Sequence, residues 1–346
     1  MANPFTLTFG KKPNSYISRP KDTEAIIDSF NQEPASEQVF VITGIRGSGK
    51  TVMLSTIIKH FIDEDDWIVV DLNSEKDLME GLASELYQNG KVKSLFVKKE
   101  FSFSFKGISF SIEGETPVLT SETLVKMMLD RIKKKNKKVL ITIDEVTSNE
   151  YMRVFAKSFQ ALIRFEYPVF LLMTGLYENI SKLQDDKSLT FLYRAPKIYL
   201  SALNISAITQ SYSEIFNVPE DVALALANLT KGYAYAYQVL GYLLYKSDEY
   251  KISNKLIIEY DQYLQEFVYD KLWSEFSPIE QKIVSSMEKE EERVKDVIVK
   301  NDMTNEYFSI YRDRLIKKGI IYSPSYGVIR LTLPRFLEFI KMKKVY

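Results

Sequence analysis

Eight consecutive residues carry the plainest chemistry in the chain: Gly44, Ile45, Arg46, Gly47, Ser48, Gly49, Lys50 and Thr51. They match G-x-x-x-x-G-K-[ST] in full. In this spacing the glycines let the backbone wrap a phosphate group, and the amides opening the next helix point at its oxygens. Lys50 is placed to bridge the β- and γ-phosphates of a nucleotide, and Thr51 to ligate Mg²⁺. Gly44, Gly47, Ser48 and Gly49 join them as binding residues. Arg46 reads as a variable loop position.

Such a loop needs an acidic partner, and Asp144 and Glu145 end the apolar run 139–143, 94 residues after Lys50. Asp144 suits the Mg²⁺ role and Glu145 the polarising of an attacking water. The pair favours a hydrolase over a kinase, because water is then the natural acceptor. Thr174, straight after another apolar run, is a candidate to touch the γ-phosphate or that water, or is an ordinary strand-end threonine. Arg194 is either an arginine finger for a neighbour's γ-phosphate or a surface ion-pair residue.

These residues need a scaffold that presents them along one edge. Five short apolar runs, 38–43, 67–71, 139–143, 169–173 and 198–200, lack helical period and read as buried strands. Helical patterns alternate with them at 21–33, 52–59, 75–88, 121–132 (Ser121 as cap) and 149–166. Doubly buried strands alternating with helices predict a parallel α/β sheet. Between the second and third strands, Phe101, Phe103, Phe105, Ile108, Phe110 and Ile112 alternate with polar residues around Lys106-Gly107. This predicts a hairpin pairing 105 with 108, 103 with 110 and 101 with 112, docked on its own domain or offered to a partner.

From 203 to 275 the pattern is helical throughout. From 276 it reads as helix 278–290, helix 293–300, helix 304–318 capped by Thr304, strand 319–322, turn, strand 328–331 and a short helix, the order of a winged helix. Such a unit would set Arg312, Arg314, Lys317, Lys318 and the turn 323–327 against duplex DNA, or would serve protein contacts. The acidic run 288–292 counsels against DNA. Residues 276–346 hold 14 Lys/Arg against 10 Asp/Glu, a surplus of +4 inside a chain of zero net charge, which permits nucleic acid without demanding it. The expected domains are 1–202, 203–275 and 276–346.

The ordered set of loop, acidic pair, Thr174 and Arg194, followed by helices and a winged-helix-like tail, resembles the AAA+/STAND superfamily of P-loop ATPases. More closely it resembles archaeal-type ATPases related to origin-recognition initiators. The resemblance covers nearly the whole chain, though only the loop and acidic pair are specific. It implies a three-layer P-loop sandwich with helical lid and winged helix, ATP and Mg²⁺ as ligands, ATP hydrolysis, and movement between sheet domain, lid and tail. Either a DNA-associated ATPase or a signalling or defence switch with a protein-binding tail fits it, and a homo-oligomer is compatible with both. Tyr16-Ile17-Ser18-Arg19-Pro20 with Glu24 resembles the family segment lying over the adenine, implying Arg19 as a nucleotide contact. One departure stands out. The lid arginine expected to reach the γ-phosphate is missing from 231–238, which instead resembles the STAND Gly-x-Pro motif with Ala234 for proline. Lys231 or Tyr233 could substitute, while the tyrosine row there reads as core packing.

Composition closes off other chemistries. Across 346 residues there is no cysteine and a single histidine, His60, so disulfides, thiolate sites and multi-histidine metal sites are excluded. His60 itself reads as a helix-end residue near free carbonyls. No stretch of 18 or more apolar residues occurs, so no membrane span is expected. The opening residues lack a secretory core, and a cytoplasmic setting is expected.

Overall fold

The computed structural model describes residues 3–8, 13–96, 102–104, 109–111, 120–185, 189–247 and 250–344. The chain divides into two compact units, one comprising Pro20–Thr43 and Met53–Tyr199, the other Met1–Arg19, Gly44–Val52 and Leu200–Tyr346.

The first unit is an α/β sandwich. Its strands β1 (Val39–Thr43), β2 (Trp67–Leu72), β5 (Lys138–Ile143), β6 (Val169–Gly175) and β7 (Lys197–Tyr199) form one parallel sheet, ordered β2-β5-β6-β1-β7. Every residue of β1 and β6 is buried, which explains their unbroken apolar runs. Alternation sorts their side chains. Val39 and Val41 join one core with Leu82, Met128, Ile141 and Phe159. Phe40 faces the other way, into an aromatic cluster with Phe30, Phe61, Trp67 and Phe170, where the Phe61 and Trp67 rings lie 4.3 Å apart.

Caps set the helix starts. Asp77 accepts from the amides of Met79 and Glu80 at 3.0 Å, so that helix is Leu78–Gln88 and not 75–88. Thr120, not Ser121, caps Ser121–Lys133, accepting from the Thr123 amide at 3.2 Å. Asn149 caps Glu150–Arg164. His60 stands in the last turn of Lys50–Asp63, as expected, and a lysine from outside the helix reaches its end. Lys91 Nζ donates to the carbonyls of Ile62 and Trp67 at 2.9 Å and to that of Glu64, while His60 packs edge-on against Phe61. The four-carbon stem of Lys91 lets one ammonium serve three carbonyls at and beyond the helix end. The hairpin is present as β3 (Ser102–Ser104) and β4 (Ser109–Ser111), with Phe103 opposite Phe110 as expected. The pairs 101 with 112 and 105 with 108 lie outside the described residues.

The second unit is helical, then mixed. Ile205–Phe216, Glu220–Thr230, Ala234–Ser247 and Asn254–Leu264 are followed by a π-turn, Gln265–Tyr269, and by Asp270–Ser274. One apolar core runs from these helices into the tail. Of the tyrosine row, Tyr233 and Tyr237 are buried as expected and Tyr235 is half-buried; Tyr212, Tyr260 and Tyr269 join the same core, and Tyr212 and Tyr260 donate to the carbonyls of Tyr237 and Leu229. The N-terminal arm straps this core. Phe5 fills the notch left by Gly241, and Gln238 accepts from the Thr6 amide while donating to the Ser15 carbonyl.

In the tail, Pro278–Ser285, Val294–Asn301 and Asn305–Lys317 surround an antiparallel sheet ordered β8-β10-β9, with β8 at Glu291–Arg293, β9 at Ile321–Tyr322 and β10 at Val328–Leu331. The helix expected over 278–290 ends at Ser285. Glu292 accepts from the amides of Glu288 and Lys289, turning the acidic run into a bend and then a strand that pairs with β10. Ser277 and Glu280 form a capping box, and Glu280 also holds Lys318 at 2.8 Å with little exposure of either side chain. Burial opposes the Glu280 charge, but Lys318 and Ser277 outweigh it and hold the carboxyl below its ordinary 4.5. A depressed carboxylate stabilises the fold above the unfolded value and loses that contribution as pH falls through the folded one. Melting monitored from pH 7 to 3 is therefore expected to show wild type losing stability below about 4.5. Glu280→Gln, about 3 kcal/mol weaker at pH 7 because Lys318 loses its carboxylate partner in a shielded setting, should lack that limb. Among the described residues no helix is long and apolar enough to cross a membrane.

Candidate nucleotide site

Loop 44–49 follows β1 directly and opens helix Lys50–Asp63. Gly47 and Gly49 sit at φ +72° and +95°, the left-handed region that bends the chain into an amide-lined concavity. Lys50, 8% exposed, donates from Nζ to the carbonyls of Gly44 and Ile45 at 3.0 Å each. Ser48 Oγ is buried without a hydrogen-bond partner among the described residues, which is a site for an incoming polar group. Arg19 donates to the carbonyl of Ser201 at 2.6 Å and of Ser48 at 3.5 Å, so it lies against the loop.

The lid reaches the same loop. Tyr233 Oη donates to the Arg46 carbonyl at 2.6 Å, the Tyr235 amide donates to the Gly47 carbonyl at 3.0 Å, and the Arg46 guanidinium lies 3.5 Å from Glu275. Lys231, the other candidate substitute for a lid arginine, is engaged with Glu290 at 2.7 Å.

The acidic pair belongs to the sheet unit. Asp144 follows β5, and Thr174, wholly buried in β6, donates to its carboxylate. The same Thr174 hydroxyl accepts from the Glu145 amide at 3.1 Å. Thr174 thus braces both acids from beneath. Glu145 adopts φ +52°, a strained setting for a side-chain-bearing residue, and its side chain is exposed. Strain of this kind costs about 1–3 kcal/mol and persists where surrounding bonds impose it. Here they are the Thr174 contact, the Val146 amide on the Thr174 carbonyl at 2.8 Å, and the Ser74 hydroxyl on the Glu145 carbonyl at 3.4 Å. Ser74 was not among the residues read from the sequence, where a serine after a strand carries no signal. Asn149 donates to its carbonyl at 2.8 Å, linking the brace to a helix cap. Arg194 ends the short helix Thr190–Arg194 and is exposed.

The donor set fits the ligands the motifs imply. Positive-φ glycines and an orphaned buried hydroxyl suit a polyphosphate, and a hydroxyl such as that of Thr51 or a carboxylate such as that of Asp144 is, by type, a hard oxygen donor of the kind Mg²⁺ takes.

Comparison with known proteins agrees at the level of fold. Residues 22–175 match the KAP family P-loop domain, and residues 266–340 match a domain of unknown function, DUF8462. No curated protein matches the chain in sequence. Among solved structures it is similar to the Walker-type ATPase PABY2304 of Pyrococcus abyssi, at 14% identity and a TM-score of 0.64, covering 95% of this chain and 96% of that one. It is also similar to the ORC2 protein of Aeropyrum pernix, at 13% identity and a TM-score of 0.59, covering 98% of each. A third is Cdc6p of Pyrobaculum aerophilum, at 14% identity and a TM-score of 0.51, covering 97% and 96%. The fold is that of P-loop ATPases, with a helical lid after the sheet.

Proposed function

We propose that the chain is an ATP-binding and ATP-hydrolysing molecular switch. The observation that carries this reading is the acidic edge of the sheet, where Thr174 ties Asp144 to the backbone of Glu145 and leaves the Glu145 carboxylate exposed. Lys50 and the loop amides hold the phosphates, and Ser48 contributes its hydroxyl. Arg19 borders the base. Thr51 and Asp144 hold Mg²⁺, which when bound neutralises charge on the phosphates. Glu145 orients water for attack. Arg194, exposed, is assigned to a neighbouring copy's γ-phosphate. The working domains are 1–202, 203–275 and a winged helix over 276–346. Release of phosphate by wild type and its loss in Glu145→Gln test the reading.

Two partners for the tail remain, duplex DNA and protein, and the tail's charges favour protein. Lys318 is buried on Glu280, Lys317 pairs with Asp313, Arg330 with Glu291 and Lys300 with Glu292. Exposed on the same unit are Tyr307, Ile310, Tyr322 and Tyr326. Cations already paired release few counterions from DNA. Anisotropy of a labelled duplex with the full chain and ATP is expected to show binding no tighter than about 1 μM at physiological salt. Submicromolar, salt-sensitive binding lost in Arg314→Ala would return DNA to the role.

A further inference from the structure

We infer that the lid shapes the phosphate loop through the loop's own backbone, which makes Tyr233 a positioning residue for nucleotide; this rests on the nucleotide reading of 44–51. The hydroxyl of Tyr233 and the amide of Tyr235 hold the carbonyls of two successive loop residues, Arg46 and Gly47. Each carbonyl shares a planar trans peptide with the next amide, so fixing the carbonyl fixes that amide in the opposite direction. The Gly47 amide is turned away from the lid, and the Ser48 amide closes a turn on the Ile45 carbonyl at 3.2 Å. The fit is close enough to dictate sequence. A Cβ on Gly47 would lie 2.4 Å from Tyr233 Oη and 2.9 Å from the Tyr235 Cβ.

The lid side is equally determined. Lys231 and Gly232 both adopt positive φ, and a Cβ on Gly232 would lie 2.5 Å from the Leu203 carbonyl. The Leu203 amide donates to the Gly232 carbonyl at 2.7 Å. That turn delivers Tyr233 to the loop, where burial raises its pKa far above the ordinary value and keeps it a neutral donor. Arg46 is held a second time by Glu275, at the far end of the lid. In a lid segment without arginine, the coupling runs through loop shape and not through contact with the γ-phosphate. ATP and ADP should therefore feel it alike.

The test uses full-length protein and fluorescent ATP and ADP. Tyr233→Phe keeps the buried ring and removes one hydrogen bond, and should weaken both nucleotides about three- to tenfold. Tyr212→Phe, which removes another buried tyrosine-to-carbonyl bond of the same core away from the loop, should bind as wild type. As a second measurement, amide exchange across 44–49 without nucleotide should quicken in Tyr233→Phe and not in Tyr212→Phe. Unchanged affinity in Tyr233→Phe, equal weakening in Tyr212→Phe, or weakening of ATP alone would each overturn the inference. Wild type binding neither nucleotide would instead remove the reading beneath it, and this inference with it.

Discussion

Lys50→Ala is expected to weaken ATP binding at least a hundredfold while leaving the fold intact. The ammonium of Lys50 is nearly buried and donates to the carbonyls of Gly44 and Ile45. Carbonyls hold a cation in place, so a polyphosphate arriving beside them meets a positioned ammonium in a water-poor setting. Charge-assisted bonds there are about twice as strong as neutral ones, and two of them account for a loss of about 3 kcal/mol or more. Alanine is a good helix former at the first position of Lys50–Asp63, so melting should change little. Titration with fluorescent ATP reads the result. Normal hydrolysis by Lys50→Ala would sink the central proposal.

Glu145→Gln should do the reverse, holding ATP with near wild-type affinity while turnover falls about 10²- to 10⁴-fold. The amide preserves the size of the side chain and leaves the backbone brace intact, since Thr174, Ser74 and Val146 bond to or through main-chain atoms at 145 and 174. What is lost is a carboxylate able to accept a proton from water. Phosphate release against nucleotide binding separates the two effects. Parallel loss of binding and turnover would mean that Glu145 helps hold the metal or the fold, and its role would need reassignment.

Much of this site was legible before any fold was seen, and particular residues show why. Gly47 and Gly49 announce positive φ by having no side chain, and Lys50 and Thr51 follow directly at the start of the next helix. Asp144 and Glu145 stand out because two acids end a buried, mostly apolar strand. The hairpin pairing of Phe103 with Phe110 follows from alternation and a two-residue turn. Helix ends were less legible: Thr120 and Ser121 are both competent caps, and only the backbone conformation of Thr120 selects it. Residues 286–290 looked helical, because nothing local records that Glu292 will bend the chain there or that β10 waits to pair with the strand that follows.

The amino-acid sequence by itself determined the chemistry on offer: a phosphate loop, an acidic pair, buried strands to carry them, and a lid without an arginine. These are one-dimensional signals, each written within a few residues by backbone freedom or apolar period. Only the tertiary structure decided that Thr174 braces the acids, that Lys318 is spent on Glu280, and that the loop is grouped with the lid and tail. Each of these depends on a partner far along the chain. Tyr233 and the Arg46 carbonyl are 187 residues apart, and a hydroxyl reaching a main-chain oxygen leaves no trace in the identity of the residue it touches.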